Sequence, residues 1–241
     1  MNDLPIPNSE LPTAVSKKLL LWDIDGTLVW TGRAGEYAMN RGFEVVFGHQ
    51  ADVHAVDYAG RTDRWIFRAL INHYGKPDTD ESLARFQDAY LSLLKEELPL
   101  RNGYVYEGIL ELLNWAENQE GIQQALLTGN LQAGAKSKLS HYQLWEYFPF
   151  GAFADDSELR NDLGPAALDR AEKQLGVRYD PSAVYVIGDT PHDIEVAKKT
   201  GTQAVAVATG KYSIDELAAH EPDFLFEDFS DVTAVQAALG Y

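Results

Sequence analysis

The sequence predicts an α/β fold: a doubly wound parallel sheet interrupted by an inserted α-helical segment. Three observations lead there. Short apolar runs recur, each ending in a polar turn; helical patterns separate them; and the stretch 33–102 carries helical patterns with no convincing buried strand. Strands apolar on both faces that alternate with helices belong to parallel sheets covered on both sides, joined by right-handed crossovers.

The strands come first. Lys18–Trp22 (KLLLW) runs into Asp-Ile-Asp-Gly-Thr, and Ile122–Leu127 (IQQALL) runs into Thr-Gly-Asn. Residues 183–187 (AVYVI) run into Gly-Asp-Thr-Pro, 203–208 (QAVAVA) run into Thr-Gly-Lys, and 223–226 add an edge strand. Helical spacing occupies 106–118, 133–142, 165–175, 191–200 and 231–239. In such sheets ligands bind beyond the carboxyl ends of the strands, where every one of these polar turns falls.

Within the insertion, helical patterns cover 33–47, 63–74 and 81–96. The last places Leu83, Phe86, Tyr90 and Leu94 on one stripe, with Asp80 as N-cap and Pro99 beyond the end. The expected organisation is a loose, Pro-rich arm over 1–17, a core domain from 18–32 and 103–241, and a helical cap domain over 33–102. The cap sits over the first polar turn, where a lid belongs.

Composition bounds the function. The chain has 241 residues, 45% hydrophobic and 11% aromatic, which is enough for a sizeable core. With 20 basic against 37 acidic side chains its formal charge is −17, a field that repels nucleic acid and anionic membranes. The absence of cysteine excludes disulfides, thiolate metal sites and a cysteine nucleophile. No run approaches a membrane span, and the N-terminus lacks the apolar stretch of a signal peptide, so a cytoplasmic protein is expected.

Chemistry concentrates in the turns. Asp23 and Asp25, separated by one residue in an extended segment, project to the same side and suit paired roles, one as nucleophile or metal ligand and one as proton donor. Gly26 and Thr27 turn the chain away behind them. An Asx-type turn accounts for either aspartate alone, but hardly for both. Thr190, Pro191 and Asp193 make a near-complete helix start, which leaves Asp189 unexplained by capping. Thr128, Gly129 and Asn130 form either a capping turn or, with free amides at a helix N-terminus, a phosphate cradle.

Taken in order, DxDGT, a strand ending in Thr-Gly-Asn, and GDxxxD resemble the haloacid dehalogenase superfamily in its capped phosphatase branch, which includes phosphoglycolate phosphatases and β-phosphoglucomutases. The resemblance covers nearly the whole chain from Lys18. It implies a Rossmann-like core, Mg²⁺ as cofactor and a phosphoaspartate. Asp23 matches the nucleophile. Asp25 matches the general acid/base, whose main-chain carbonyl also binds the metal. Thr128 matches the hydroxyl that holds phosphoryl oxygens, Asp189 the acidic metal ligand, and Asp193 a support of the metal shell. The family's third motif normally supplies Lys, less often Arg; 156–165 holds no lysine, so Arg160 is the candidate. Gly26, Thr27, Gly129 and Asn130 complete the expected phosphate contacts.

Mg²⁺, Arg160 and the Thr128 turn would neutralise an anionic ester so that Asp23 can attack it, with Asp25 protonating the leaving oxygen and then activating water. A −17 protein can take an anionic substrate because its acidic side chains first recruit the cation. Gly60-Arg61-Thr62-Asp63-Arg64 resembles the specificity loop of capped relatives, with Arg61 placed to pair with a distal group of the substrate. The plainer reading is that Thr62 or Asp63 caps a helix and both arginines are solvated. Lys211 is a weaker candidate of the same kind. The six histidines show no zinc-ligand spacing, and no GxGxxG or Walker A sequence is present.

The expected function is a Mg²⁺-dependent phosphatase of a small phosphorylated metabolite, of the phosphoglycolate or sugar phosphate class, acting as a monomer or weak homodimer. A β-phosphoglucomutase-like phosphomutase would use the same residues. A non-catalytic binding module would keep the fold without needing Asp23, Asp25 and Asp189. Dehalogenase chemistry is disfavoured by Asp25, and a phosphonatase by the lack of an assignable cap lysine.

Overall fold

A computed structural model describes residues 17–240. The arm expected over 1–17 therefore lies almost wholly outside the described residues. Eight strands and nine α-helices follow in the described chain: β1 (Lys18–Trp22), β2 (Val29–Trp30), α1 (Ala34–Phe47), α2 (Asp63–His73), α3 (Asp80–Glu97), β3 (Tyr104–Val105), α4 (Ile109–Glu117), β4 (Ile122–Leu127), α5 (Gln132–His141), β5 (Gly151–Ala152), α6 (Arg160–Leu175), β6 (Val184–Gly188), α7 (Pro191–Thr200), β7 (Gln203–Val207), α8 (Ile214–Ala218), β8 (Phe224–Phe226) and α9 (Val232–Ala238).

Six strands form one parallel sheet in the order β5-β4-β1-β6-β7-β8. The chain starts in the middle, builds outward through β4 and β5, then returns to the other side of β1. Direction of growth therefore reverses between β1 and β6, the point where such sheets open a crevice at their carboxyl ends. Alternate residues of each strand face opposite ways. Leu20, Trp22, Leu126, Tyr185 and Ile187 pack on α4, α5 and α9, while Leu19, Leu21, Ala125, Leu127 and Val186 pack on α6 and α7. Burial on both faces is why these strands read as continuous apolar runs.

Helices α1, α2 and α3 form an inserted helical cap with its own cluster, in which Phe67 and Phe86 lie tilted at 4.6 Å and Phe43 meets Phe86 edge-on at 5.5 Å. The predicted stripe of Leu83, Phe86, Tyr90 and Leu94 is buried there. The two chain crossings into the cap run side by side as an antiparallel pair, Val29 opposite Val105 and Trp30 opposite Tyr104.

Several local expectations are corrected. Thr79, not Asp80, caps α3, its hydroxyl accepting the Ser82 N–H at 3.1 Å. Helix α6 begins at Arg160 rather than at Pro165, which lies inside it. The earlier start is held by Asp162 N–H on the Leu159 carbonyl (3.0 Å) and Leu159 N–H on the Ser157 hydroxyl (3.1 Å). Helix α4 starts at Ile109, not 106, because Gly108 turns left-handed at φ 78°. Strands β2, β3 and β5, two residues each, carry too little periodicity to be read from sequence.

Candidate active site

Three adjacent strand ends bring the site together: Asp23 follows β1, Thr128 follows β4 and Asp189 follows β6. The Asp23 N–H continues the ladder onto the Ile187 carbonyl at 2.9 Å, so the sheet itself fixes where this carboxylate starts.

Asp23, Asp189 and Asp193 are all buried, with carboxylate oxygens within 4.8 Å of one another. Arg160, as the first residue of α6, sends its guanidinium into the cluster. Its Nη2 lies 3.0 Å from Asp23 Oδ2 and also donates to Asp193 Oδ1. Asp193 Oδ2 accepts the N–H and hydroxyl of Thr190 at 3.1 and 2.8 Å, closing the predicted helix start. Thr27 donates its hydroxyl to Asp189 Oδ1 at 3.3 Å.

The electrostatics follow from burial. Desolvation raises the Asp23 pKa to about 6, opposed chiefly by the charge of Arg160, with Asp193 pushing further up. Burial and then the neighbouring Asp23 and Asp193 push Asp189 well above the carboxylate range. Burial works against the charge of Arg160, but Asp193 and Asp23 outweigh it and hold the guanidinium firmly protonated. One guanidinium thus pairs with two of three clustered carboxylates, and among the described residues Asp189 has no cation of its own there.

The donor set fits a hard divalent ion such as Mg²⁺, which takes oxygen ligands. A second observation agrees. A Cβ added to Gly26 (φ 80°) or to Gly210 would stand 2.3 or 1.7 Å from Asp189 Oδ2, so two side-chain-free positions frame that carboxylate.

Asp25 sits differently. Its side chain is 43% exposed, toward a cavity of about 390 Å³ lined by both core and cap. Its Oδ2 accepts from Asn130 Nδ2 at 2.8 Å and from Lys138 Nζ at 2.5 Å. Asn130 is itself held by Thr128 Oγ1 (2.9 Å) and by Lys138 Nζ on its Oδ1 (2.6 Å). Lys138 was not among the residues expected from sequence. Its signal was legible: α5 buries Ala135 and Leu139, and Lys138 lies on that same buried stripe, where a cation needs a reason.

Two amides just beyond the Thr128 turn are already engaged. Leu131 N–H is taken by Asp63 Oδ2 at 2.8 Å and Gln132 N–H by Asp155 Oδ2 at 2.6 Å. Those carboxylates complement the helix dipole at the start of α5. The Thr128 hydroxyl remains beside Asp23 and helps hold its pKa down. Gly129 matters for approach: a Cβ there would meet the Arg61 carbonyl at 2.2 Å.

Around Arg61 the helix start and the cavity wall meet. Thr62 caps α2, accepting the Trp65 N–H at 3.2 Å, while Asp63 is buried and reaches across to α5. Arg61 lines the cavity, its guanidinium 4.7 Å over the Trp65 ring and 3.8 Å from Asp57. Lys211 lines the same cavity. Among the described residues no helix is long and apolar enough to cross a membrane.

Comparison with known proteins agrees with this architecture. The haloacid dehalogenase-like hydrolase family profile matches residues 20–198. A Dickeya dadantii protein named "Probable phosphatase IndB" is 30% identical over 92% of this chain and 95% of its own. A Pseudomonas putida phosphoglycolate phosphatase is 26% identical over 88% of this chain and 76% of its own. Among solved structures, a "predicted phosphoglycolate phosphatase" from Haemophilus somnus superposes with TM-score 0.71 at 20% identity, covering 93% of this chain and 100% of that one, a likeness of fold.

Proposed function

The chain belongs to the haloacid dehalogenase-like hydrolases, and from that premise we propose that it is a Mg²⁺-dependent phosphatase of a small phosphorylated metabolite, working through an aspartyl phosphate on Asp23. The observation that carries this reading is the arrangement of two aspartates two residues apart. Asp23 is buried against Arg160 and Asp189, while Asp25 faces the cavity. One is shielded from water for attack, the other open to exchange protons.

Asp23, Asp189 and Asp193, with the Asp25 carbonyl, are the residues that would hold Mg²⁺, and the ion when bound neutralises phosphoryl charge. Arg160 and the Thr128 hydroxyl orient the phosphoryl oxygens and hold Asp23 ionised. Asp23 attacks phosphorus as the ester P–O bond breaks, and the departing oxygen takes its proton from Asp25. The Asp25 carboxylate then removes a proton from water, whose oxygen attacks the aspartyl phosphate and releases inorganic phosphate and Asp23. The cap covers the cavity and excludes bulk water. Arg61 and Lys211 on its wall meet the organic part of the substrate, of the phosphoglycolate or sugar phosphate class. Core and cap divide at about residues 32 and 103, and the enzyme works in the cytoplasm as a monomer or weak homodimer.

The test is phosphate release across a panel of phosphorylated metabolites, with Mg²⁺ and with EDTA, for wild type and Asp23→Asn. Metal-dependent release lost by at least ~10³-fold in a folded variant is the expected result. Retained activity in Asp23→Asn removes the covalent step. Transfer between positions of one sugar instead of release identifies a phosphomutase, and no turnover at all identifies a binding module.

A further inference from the structure

We propose that Lys138 is a positioning residue for acid/base catalysis: it pins one oxygen of Asp25 so that the other faces the substrate. The inference rests on the reading of Asp25 as the acid/base group.

Lys138 is buried, with its side chain only 5% exposed, although it belongs to a helix whose other lysine, Lys136, lies outside that stripe. Burying an ammonium costs several kcal/mol unless it is paired and hydrogen-bonded. Here its partners come from two other parts of the chain, Asp25 Oδ2 at 2.5 Å and Asn130 Oδ1 at 2.6 Å. Asn130 Nδ2 adds a second donor to the same Asp25 oxygen at 2.8 Å. Oδ2 is therefore doubly occupied, and Asp25 Oδ1 accepts no hydrogen bond among the described residues. Both donors engage the same oxygen, so the anchor fixes the carboxyl plane and leaves Oδ1 as the oxygen open to a substrate.

A cap to the helix C-terminus is the plainer role for a lysine in the last turn of α5. The ammonium instead points to the strand-β1 turn and the Thr128 turn. Its charge also opposes the burial of Asp63, so one cation serves a core carboxylate and a cap carboxylate. Gly35, the second residue of α1, lies over it without a side chain of its own; a Cβ there would stand 3.6 Å from Nζ. The lysine is thus enclosed where the cap meets the core, next to the leaving-group side of the cavity.

A misplaced acid matters in proportion to how badly the leaving group needs a proton. Nitrophenolate departs unaided, whereas an alkoxide does not. The experiment compares kcat/KM for p-nitrophenyl phosphate with kcat/KM for the alkyl ester hydrolysed fastest in the metabolite panel. This constant reports only steps up to departure of the alcohol, so later hydrolysis of the aspartyl phosphate does not blur it. Asp25→Asn sets the scale, with the alkyl-to-aryl ratio expected to fall by about 10²-fold or more. For Lys138→Met the ratio should fall by on the order of tenfold to a hundredfold, and for Lys138→Arg by less. Equal losses on both esters in Lys138→Met, with a selective loss in Asp25→Asn, overturn the role of Lys138. No selective loss in Asp25→Asn instead overturns the acid/base reading on which the role stands. Should Lys138→Met not fold, Lys138→Arg keeps the buried charge and decides the matter: a selective loss supports the role, an even one overturns it.

Discussion

The Asp63 N–H donates to the Gly129 carbonyl at 2.7 Å, joining the start of the second cap helix directly to the turn that carries Thr128. The same residue's carboxylate accepts the Leu131 N–H at 2.8 Å, so backbone and side chain both dock on one loop. Cap and core therefore meet at the reactive end of β4, where a displacement of the cap would be felt by Thr128, Asn130 and Lys138 together.

Asp63 makes this contact pH-dependent. Burial raises its pKa from 3.8 to about 7, against the opposing Lys138 charge and the Leu131 hydrogen bond. Between those values the folded chain keeps a proton that the unfolded chain has released. The associated stability is complete below the unfolded value and is lost as pH rises through the folded one. Asp63→Asn keeps an acceptor for Leu131 and removes the titration. Denaturant unfolding of both proteins should show the variant gaining on wild type between roughly pH 4 and pH 8, by a few kcal/mol at most. A gap that does not change with pH would assign Asp63 a purely structural part.

Arg160 tests the cluster from the cation side. Arg160→Ala leaves Asp23 and Asp193 buried without their shared partner and should cost about 3–5 kcal/mol in unfolding experiments. Arg160→Lys keeps the charge but reaches one carboxylate rather than two, so its stability and kcat/KM should fall between alanine and wild type. If alanine is as stable as wild type, the guanidinium is not what balances these acids.

Asp189 tests the metal. Asp189→Asn should weaken Mg²⁺ binding by at least ~10-fold in calorimetry, since removing a ligand costs no less than removing a group that orients one. Excess Mg²⁺ should partly restore phosphate release. Unchanged affinity would move the ion away from this carboxylate.

Arg61 tests the cap. Because it lines the cavity from the cap, with its guanidinium stacked on Trp65, Arg61→Ala should raise KM for the metabolite substrate more than for p-nitrophenyl phosphate. Equal changes for the two esters would leave Arg61 as packing for Trp65.

Much of the site was readable before any coordinates. Asp23, Asp189 and Thr128 end apolar strands, and a parallel sheet places all such ends on one edge, so their convergence follows from the pattern of runs and turns. Arg160 was reachable as the lone basic residue of 156–165, but its placement depends on where α6 begins, five residues before the proline that seemed to start it. That Asp63 and Asp155 take the Leu131 and Gln132 amides beyond the Thr128 turn left no local record in the sequence.

The sequence by itself determined the sheet, the helical insertion and the identity of the acidic residues, because hydrophobic periodicity and turn chemistry act locally and leave a local record. Only the tertiary structure decided which charges meet. Lys138 is 113 positions from Asp25, and Asp63 is 68 from Leu131. No local rule pairs residues so far apart; burial between cap and core does, by removing the water that would otherwise satisfy each of them and leaving the opposite charge or the open amide as the available partner.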